Sequence, residues 1–280
     1  MRRPFASVVF CAVLACAGTA QAVAKRVVSL NPCLDTVLVH VAAREQIAAL
    51  SHFSHQTDAT TITDVALTLP ITYESAEEVI ALKPDLVLTS RHSSPATRSA
   101  LQRLEIHAEL FDVPETVNDS IAQIRRIAEL LGREPQAEAL IVRIEAALAA
   151  SQPDSDAPKL TALVFQSNGF TPGGGTLVDE LLTRTGFVNV GENYGSGKWG
   201  NVALERMIIS PPQVLLSGEV ASDTPTWAER VLTHPALNKV AQHITRAPFP
   251  DKLMYCGGPV LIQSVAALAQ ARALAIKASP

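Results

Sequence analysis

Two cysteines, a group of histidines and a loop carrying lysine and tryptophan hold most of the reactive side chains in this sequence. Cys33 follows the apolar run Val27–Leu30 and the pair Asn31-Pro32, and Cys256 opens Cys256-Gly257-Gly258-Pro259 ahead of the last helical stretch. Both stand at strand-to-helix turns, where a helix N-terminus lowers a thiol pKa and favours thiolate chemistry. Three readings of the pair stay open: a disulfide, a soft metal site, or two buried thiols. Spacing alone does not bring them together. His52 and His55 lie on either side of Phe53 just after one apolar run, and His92 follows Arg91 just after another. Such histidines either ligate a metal or contact ligand and solvent, and no carboxylate is placed to orient them as ligands.

Loops between strands and helices supply the remaining candidates. In Thr171-Pro172-Gly173-Gly174-Gly175-Thr176 backbone amides can hold an anion, or the glycines form a tight turn with Thr176 capping the next helix. Gly195-Ser196-Gly197-Lys198-Trp199-Gly200 presents an indole and an ammonium group on a flexible loop, with Tyr194 beside it. At 5% aromatic residues, each exposed ring is informative, and Tyr73, Phe170, Tyr194 and Trp199 are the rings available to a large ligand, with Arg91 and Lys198 as its cations. No Gly-x-Ser-x-Gly elbow, His-Glu-x-x-His pair or Gly-Lys-[Ser/Thr] phosphate loop occurs. No catalytic residue, resident metal or cofactor is therefore assigned.

The elements that must position these groups follow from composition and pattern. The 280 residues are 48% apolar and 18% charged with net charge −4, which excludes a disordered or collagen-like chain and a small disulfide scaffold. The absence of a basic block argues against nucleic acid. Arg2-Arg3, the uncharged stretch Pro4 to Gly18 and Ala20-Gln21-Ala22 form a secretory signal over residues 1–22. Its removal takes Cys11 and Cys16 away and lowers the net charge to −6. Val13-Leu14-Ala15-Cys16 admits a rival reading as a lipoprotein box with Cys16 lipidated. No later segment reads as long and apolar enough to span a membrane.

The exported part alternates apolar runs with amphipathic segments, the pattern of an α/β fold with mainly parallel sheets. Val27–Leu30, Ile47–Ser51, Leu86–Thr89, Ile106–Phe111, Thr161–Gln166, Phe187–Val190 and Val214–Ser217 read as strands. Asn31-Pro32 starts a helix, and Ser75-Ala76-Glu77-Glu78 is a capping box. Residues 118–151 read as nearly continuous helix broken at Gly132 and Pro135, followed by a Pro- and Asp-rich boundary. Leu82-Lys83-Pro84-Asp85-Leu86-Val87-Leu88 is echoed by Ser210-Pro211-Pro212-Gln213-Val214-Leu215-Leu216, as an internal duplication requires. The organisation expected is an N-terminal α/β lobe over 23–134, an interlobe helix over 135–152 and a C-terminal α/β lobe over 153–280, with a ligand cleft between the lobes.

The export signal, the opening Arg26-Val27-Val28-Ser29-Leu30-Asn31-Pro32 and the segment Ser75 to Val87, ending Leu82-Lys83-Pro84-Asp85-Leu86-Val87, together resemble the periplasmic binding proteins of ABC importers for ferric siderophores, haem and cobalamin. The resemblance spans about residues 25–276. It implies two α/β lobes bridged by one long helix, small hinge motion, and a non-enzymatic receptor that delivers a metal chelate to an ABC permease and its ATPase in the inner membrane. A receptor that docks as one unit is expected to be a monomer. The cleft candidates are then Cys33, His52, Tyr73, Arg91, His92, Phe170, Tyr194, Lys198, Trp199 and Cys256. A surface glutamate on each lobe faces the permease in this family. Glu77, seven residues before Pro84, takes that place in the first lobe; the slot counted back from Pro211 holds Leu204, with Glu205 adjacent. A receptor for a bare transition-metal ion and a secreted enzyme using Cys33, Cys256 and His52 are the rival readings.

Overall fold

A computed structural model describes residues 23–166, 169–195, 197–218 and 244–278; the leader and Cys16 lie outside the described residues. Strand β1 (Val27–Ser29) is wholly buried and pairs in parallel with β2 (Ile47–Ser51) on one side and β4 (Leu86–Ser90) on the other. Outside these lie β3 (Ile71–Thr72) and β5 (Ala108–Phe111), so the first sheet runs β3-β2-β1-β4-β5, all parallel. The unbroken apolar runs have this consequence: a parallel sheet covered on both faces has no solvent side on which to place alternating polar residues.

Local chemistry places the first-lobe helices. Asn31 accepts hydrogen bonds from the amides of Cys33 (2.9 Å) and Leu34 (3.3 Å), and Pro32 occupies the first turn of α1 (Pro32–Val41). Beyond α2 (Thr63–Ala66), Ser75 caps α3 (Ala76–Ala81) by accepting from Glu78 N at 3.2 Å. The box is only half formed, because the Glu78 carboxylate turns away to accept from Thr72 Oγ1 and Tyr73 N. Helix α4 (Pro95–Arg103) follows. Gly132, at φ +62°, ends α5 (Val117–Leu131) and lets α6 (Glu134–Ala150) leave in a new direction.

The second lobe repeats the pattern. Its elements are β6 (Leu160–Val164), β7 (Phe170–Pro172), α7 (Leu177–Arg184), β8 (Phe187–Asn189), β9 (Trp199–Asn201), α8 (Leu204–Ile209), β10 (Val214–Ser217), β11 (Thr245–Pro248) and α9 (Val260–Ala278). The second sheet runs β11-β10-β6-β8, all parallel. Placed over the first, β8-β6-β10-β11 coincides in order with β2-β1-β4-β5. Asp85 accepts from Lys25 N and Arg26 N, and Gln213 accepts from Thr161 N, so the residue after each proline secures the foot of its central strand. The duplication omits the antiparallel pair β7–β9, which has no counterpart in the first lobe.

Helix α9 has 19 residues with a mean hydropathy of 1.3, enough by length and composition to cross a membrane, contrary to the expectation from sequence. Its Leu261, Val265 and Leu268 are instead fully buried in the core, because a helix that packs on α6 on one side and on α7, β10 and β11 on the other needs a broad apolar face.

Among the described residues, one carboxyl group lies wholly inside this architecture. Asp35, fully buried on α1, accepts from Ser51 N (3.0 Å), Ser51 Oγ (2.6 Å) and Ser54 Oγ (2.6 Å). Burial pushes its carboxyl up to about 7, against hydrogen bonds from Ser29, Ser51 and Ser54 that pull it down. The unfolded chain ionises near pH 4 while the native state does not, so the stability contributed by neutral Asp35 is full below pH 4. It declines as pH rises and is lost above about 7. Asp35→Asn, which keeps an acceptor for the serines, is expected to raise the melting temperature at pH 8 and leave it nearly unchanged at pH 4. Thermal melts across that range give the answer, and an equal shift at both pH values would contradict the assignment.

Candidate functional site

The carboxyl ends of both sheets face a cleft of about 1560 Å³ between the lobes, the position where open parallel sheets place their ligands. From the first lobe it is lined by the start of α1, by the turn through Asp58 and by the loops leaving β4 and β5. From the second come Phe170, the start of α7, Lys198, Trp199 and the segment from Pro250 to Cys256.

Cys33 and Cys256 are joined in a disulfide, their Cα atoms 5.0 Å apart. Of the three readings open from sequence, the structure takes the bridge. Neither sulfur is then available as a metal ligand or as the nucleophile of a thiol enzyme. Among the described residues, no three His, Cys, Asp or Glu side chains are gathered to hold a metal ion.

Polar contacts between the lobes supplement the bridge. Lys198 Nζ meets Glu115 Oε1 at 2.5 Å, and Lys252 Nζ donates to the Thr57 carbonyl at 3.0 Å. Gly258 N also donates to Ser120 Oγ (2.6 Å) and Val117 N to Glu180 Oε2 (2.8 Å).

The ring surface of the cleft is built by the β7–β9 pair. Phe170 and Trp199 stack with centroids 5.3 Å apart and planes 6° from parallel, with Trp199 39% exposed. Such a platform suits the face of another flat, apolar group. His92 also lines the cleft. The glycine loop behaves as a turn and cap: Gly173 N donates to the Lys198 carbonyl, Gly175 N to Asp179, and Thr176 Oγ1 accepts from Asp179 N. With two of its amides spent internally, it has fewer to offer an anion.

Four sequence candidates lie elsewhere. His52 stacks against Tyr73 with centroids 5.1 Å apart and against Phe53 at 4.0 Å. Its Nδ1 lies 3.9 Å from Glu74 Oε1, and burial raises the Glu74 carboxyl to about 6. His52 and Tyr73 thus form a cluster after β2 and β3 and do not line the cleft. Arg91 is ion-paired with Asp112 in a side recess of about 660 Å³ that shares the residues after β5 with the cleft. The ion pair holds its guanidinium there. Tyr194 is a core residue, buried with Phe165 and Met207 in the second lobe, its hydroxyl donating to the Ser210 carbonyl. The short helical turn Glu192–Tyr194 folds the ring inward.

The sequence reading missed several lining groups. Tyr255 is 47% exposed and lines the cleft, its hydroxyl pKa raised by burial and by the charge of Asp251; scarcity of rings and its place beside Cys256 were the available signals. Phe111 and Asp112 sit at the carboxyl end of a strand that had been recognised. Asp58 and Lys252 come from irregular segments that carry no motif.

Residues 27–241 match the family described as periplasmic binding protein. A vitamin B12-binding protein of Pectobacterium carotovorum subsp. carotovorum is 26% identical over 219 residues, covering 74% of this chain and 78% of the relative. A cobalamin-binding protein of Halobacterium salinarum is 22% identical over 198 residues, 69% of this chain; the match spans about half, 54%, of that protein's length. Among solved structures, the periplasmic haem-binding protein RhuT of Roseiflexus sp. RS-1 superposes with a TM-score of 0.71 at 20% identity, covering 91% of this chain and 99% of that one. The periplasmic vitamin B12-binding protein BtuF of Vibrio cholerae gives 0.67 at 15% identity, covering 91% and 98%. At these identities the structures establish the two-lobe fold.

The placement of Tyr194 makes a test. Tyr194→Phe is expected to cost about 1 to 2 kcal/mol of stability, the value of a hydrogen bond whose carbonyl acceptor is left unsatisfied, and to leave ligand affinity unchanged. Chemical denaturation beside a binding titration measures both, and a large loss of affinity at unchanged stability would return the residue to the site.

Proposed function

The chain belongs to the periplasmic binding protein family, and from that premise we propose that it is a non-enzymatic, exported receptor that captures a corrinoid of the cobalamin type and delivers it to an ABC permease. The observation that carries the ligand class is the charge balance of the cleft. Among the described residues, Asp58, Asp112, Glu115 and Asp251 line it against Lys198 and Lys252; Lys198 is already paired with Glu115, and Arg91 beside the cleft with Asp112, so acids still outnumber bases and neither of these cations is unpaired. A polyanionic ferric siderophore, or the propionates of haem, would meet net repulsion there. A large neutral macrocycle with amide arms meets none and gains the Phe170–Trp199 face. Two curated relatives named for cobalamin or vitamin B12 support the same choice.

Titration of the purified protein with cyanocobalamin, followed by tryptophan fluorescence and calorimetry, is expected to saturate at micromolar concentration or below. Trp199→Ala should weaken binding about tenfold, roughly 1.4 kcal/mol. Saturable binding of haem or a ferric siderophore with none of cyanocobalamin would overturn the ligand class.

Delivery rests on two glutamates. Val214 stands in β10 where Leu86 stands in β4, and the same offset carries Pro84 onto Pro212 and Glu77 onto Glu205. Both are exposed second residues of short helices, α3 and α8. The apparent departure at Leu204 came from counting back from Pro211 rather than Pro212. The two carboxylates form a matched pair for cationic residues on a permease, and the receptor acts as a monomer. Glu77→Arg and Glu205→Arg are each expected to reduce uptake in cells at least tenfold while cyanocobalamin affinity stays the same; normal uptake in both would remove the docking assignment.

A further inference from the structure

The disulfide joins elements that belong to different lobes. Cys33 is in the first turn of α1, and Cys256 lies just ahead of α9. Behind them both helices pack on α6, and Leu34, Leu38, Leu140, Ile144, Leu261 and Val265 share one core. The lobes are therefore held at the back by buried apolar contact and at the cleft floor by a covalent bond. Among the described residues, the other polar ties across the cleft are single hydrogen bonds and one exposed ion pair, each individually weak. Cutting the bridge leaves the back intact and releases the front.

The bridge is also placed for exchange. Both cysteines line the ligand cleft, Cys33 being half-buried and Cys256 7% exposed, so a thiolate entering the cleft has access to it. Where Cys33 is the leaving group, its thiolate stands in the first turn of α1, whose N-terminus stabilises the charge and makes it a better leaving group. A ligand seated in the cleft covers the same sulfurs.

We propose that Cys33–Cys256 is a redox latch of the ligand cleft, closed as a disulfide and opened by thiol–disulfide exchange with an external dithiol, and that the open form binds ligand more weakly. This rests on the cleft being the ligand site. The exchange is balanced: the dithiol is oxidised to its own disulfide through a mixed intermediate, and two electrons and two protons pass to Cys33 and Cys256 as thiols. With the latch closed, the two walls are preorganised and binding loses less freedom. By linkage, the factor by which the bridge tightens ligand binding equals the factor by which bound ligand favours the bridge over the dithiol.

Dithiothreitol without denaturant is expected to expose two maleimide-reactive thiols per chain while the protein stays folded, and saturating cyanocobalamin to slow their appearance about tenfold. A Cys33→Ser/Cys256→Ser variant, which keeps thiol reagent away from the corrinoid, should bind cyanocobalamin about tenfold more weakly. Should that variant not fold, reduced and alkylated protein takes its place. Hydrogen exchange at the Val117 amide, which donates across the lobes to Glu180, reads the latch without ligand and should speed up on reduction. A bridge that resists reduction until the protein unfolds, or equal affinity with and without it, overturns the proposal. If neither form binds cyanocobalamin, the ligand class is wrong. The latch is then decided by Val117 alone, faster exchange supporting it and unchanged exchange overturning it.

Discussion

Helix α6 has to satisfy two sheets at once, and most of the architecture follows from that. It leaves α5 at Gly132, packs against α1 and α5 of the first lobe and α9 of the second, and delivers the chain to β6. Its Leu140, Ile141 and Ile144 are at most 3% exposed and belong to a core that runs from Val27 in one sheet to Val214 in the other. Separating the lobes would expose this apolar surface, at roughly 25 cal/mol for each Å². The cleft therefore works over a small range of widths, and the loops above the strands, rather than domain closure, must fit the ligand.

Duplication explains the two sheets, and departure from duplication explains the site. Equivalent strands and equivalent strand-foot contacts through Asp85 and Gln213 give two similar platforms whose carboxyl ends face each other. Two similar halves alone would make a nearly symmetric slot. The β7–β9 pair breaks that symmetry by adding Phe170, Lys198 and Trp199 on one side only. The first lobe answers with the carboxylates of Asp58, Asp112 and Glu115. The second-lobe wall thus carries the ring pair with Lys198, Lys252 and Asp251, the first-lobe wall is mainly acidic, and the Lys198–Glu115 contact is where they meet.

The sheets were legible in the sequence because buried parallel strands have to be continuous apolar runs: Val27–Leu30, Leu86–Thr89 and Val214–Ser217 announce themselves. Edge strands are uneven in this respect: β5 and β8 are legible from their runs, whereas β3, with two residues, and β11, Thr-Arg-Ala-Pro, carry none. The site was half legible for a related reason. Trp199, Lys198 and Phe170 stood out as rare types in loops after strands, and Cys33 and Cys256 as the two cysteines of the exported chain. Burial, however, is a tertiary property. Nothing local to Tyr194 says that its turn folds inward onto Met207, and nothing local to Arg91 says that Asp112 will hold it beside the cleft rather than in it.

The same stiffness bears on how such a protein reports that it is loaded. With a shared core behind the cleft and a covalent bond across its floor, occupancy cannot be signalled by a wide closing of the lobes. A partner that reads both lobes together, through equivalent points such as the starts of α3 and α8, is sensitive to a small change in their spacing, because each lobe is rigid and the separation of the two points is the variable. On the proposed function, ligand that draws Trp199 towards the acidic wall would shorten that spacing, and its departure would relax it. A stiff frame therefore suits this kind of signalling: in a soft one, thermal motion of the lobes would exceed the displacement that carries the information.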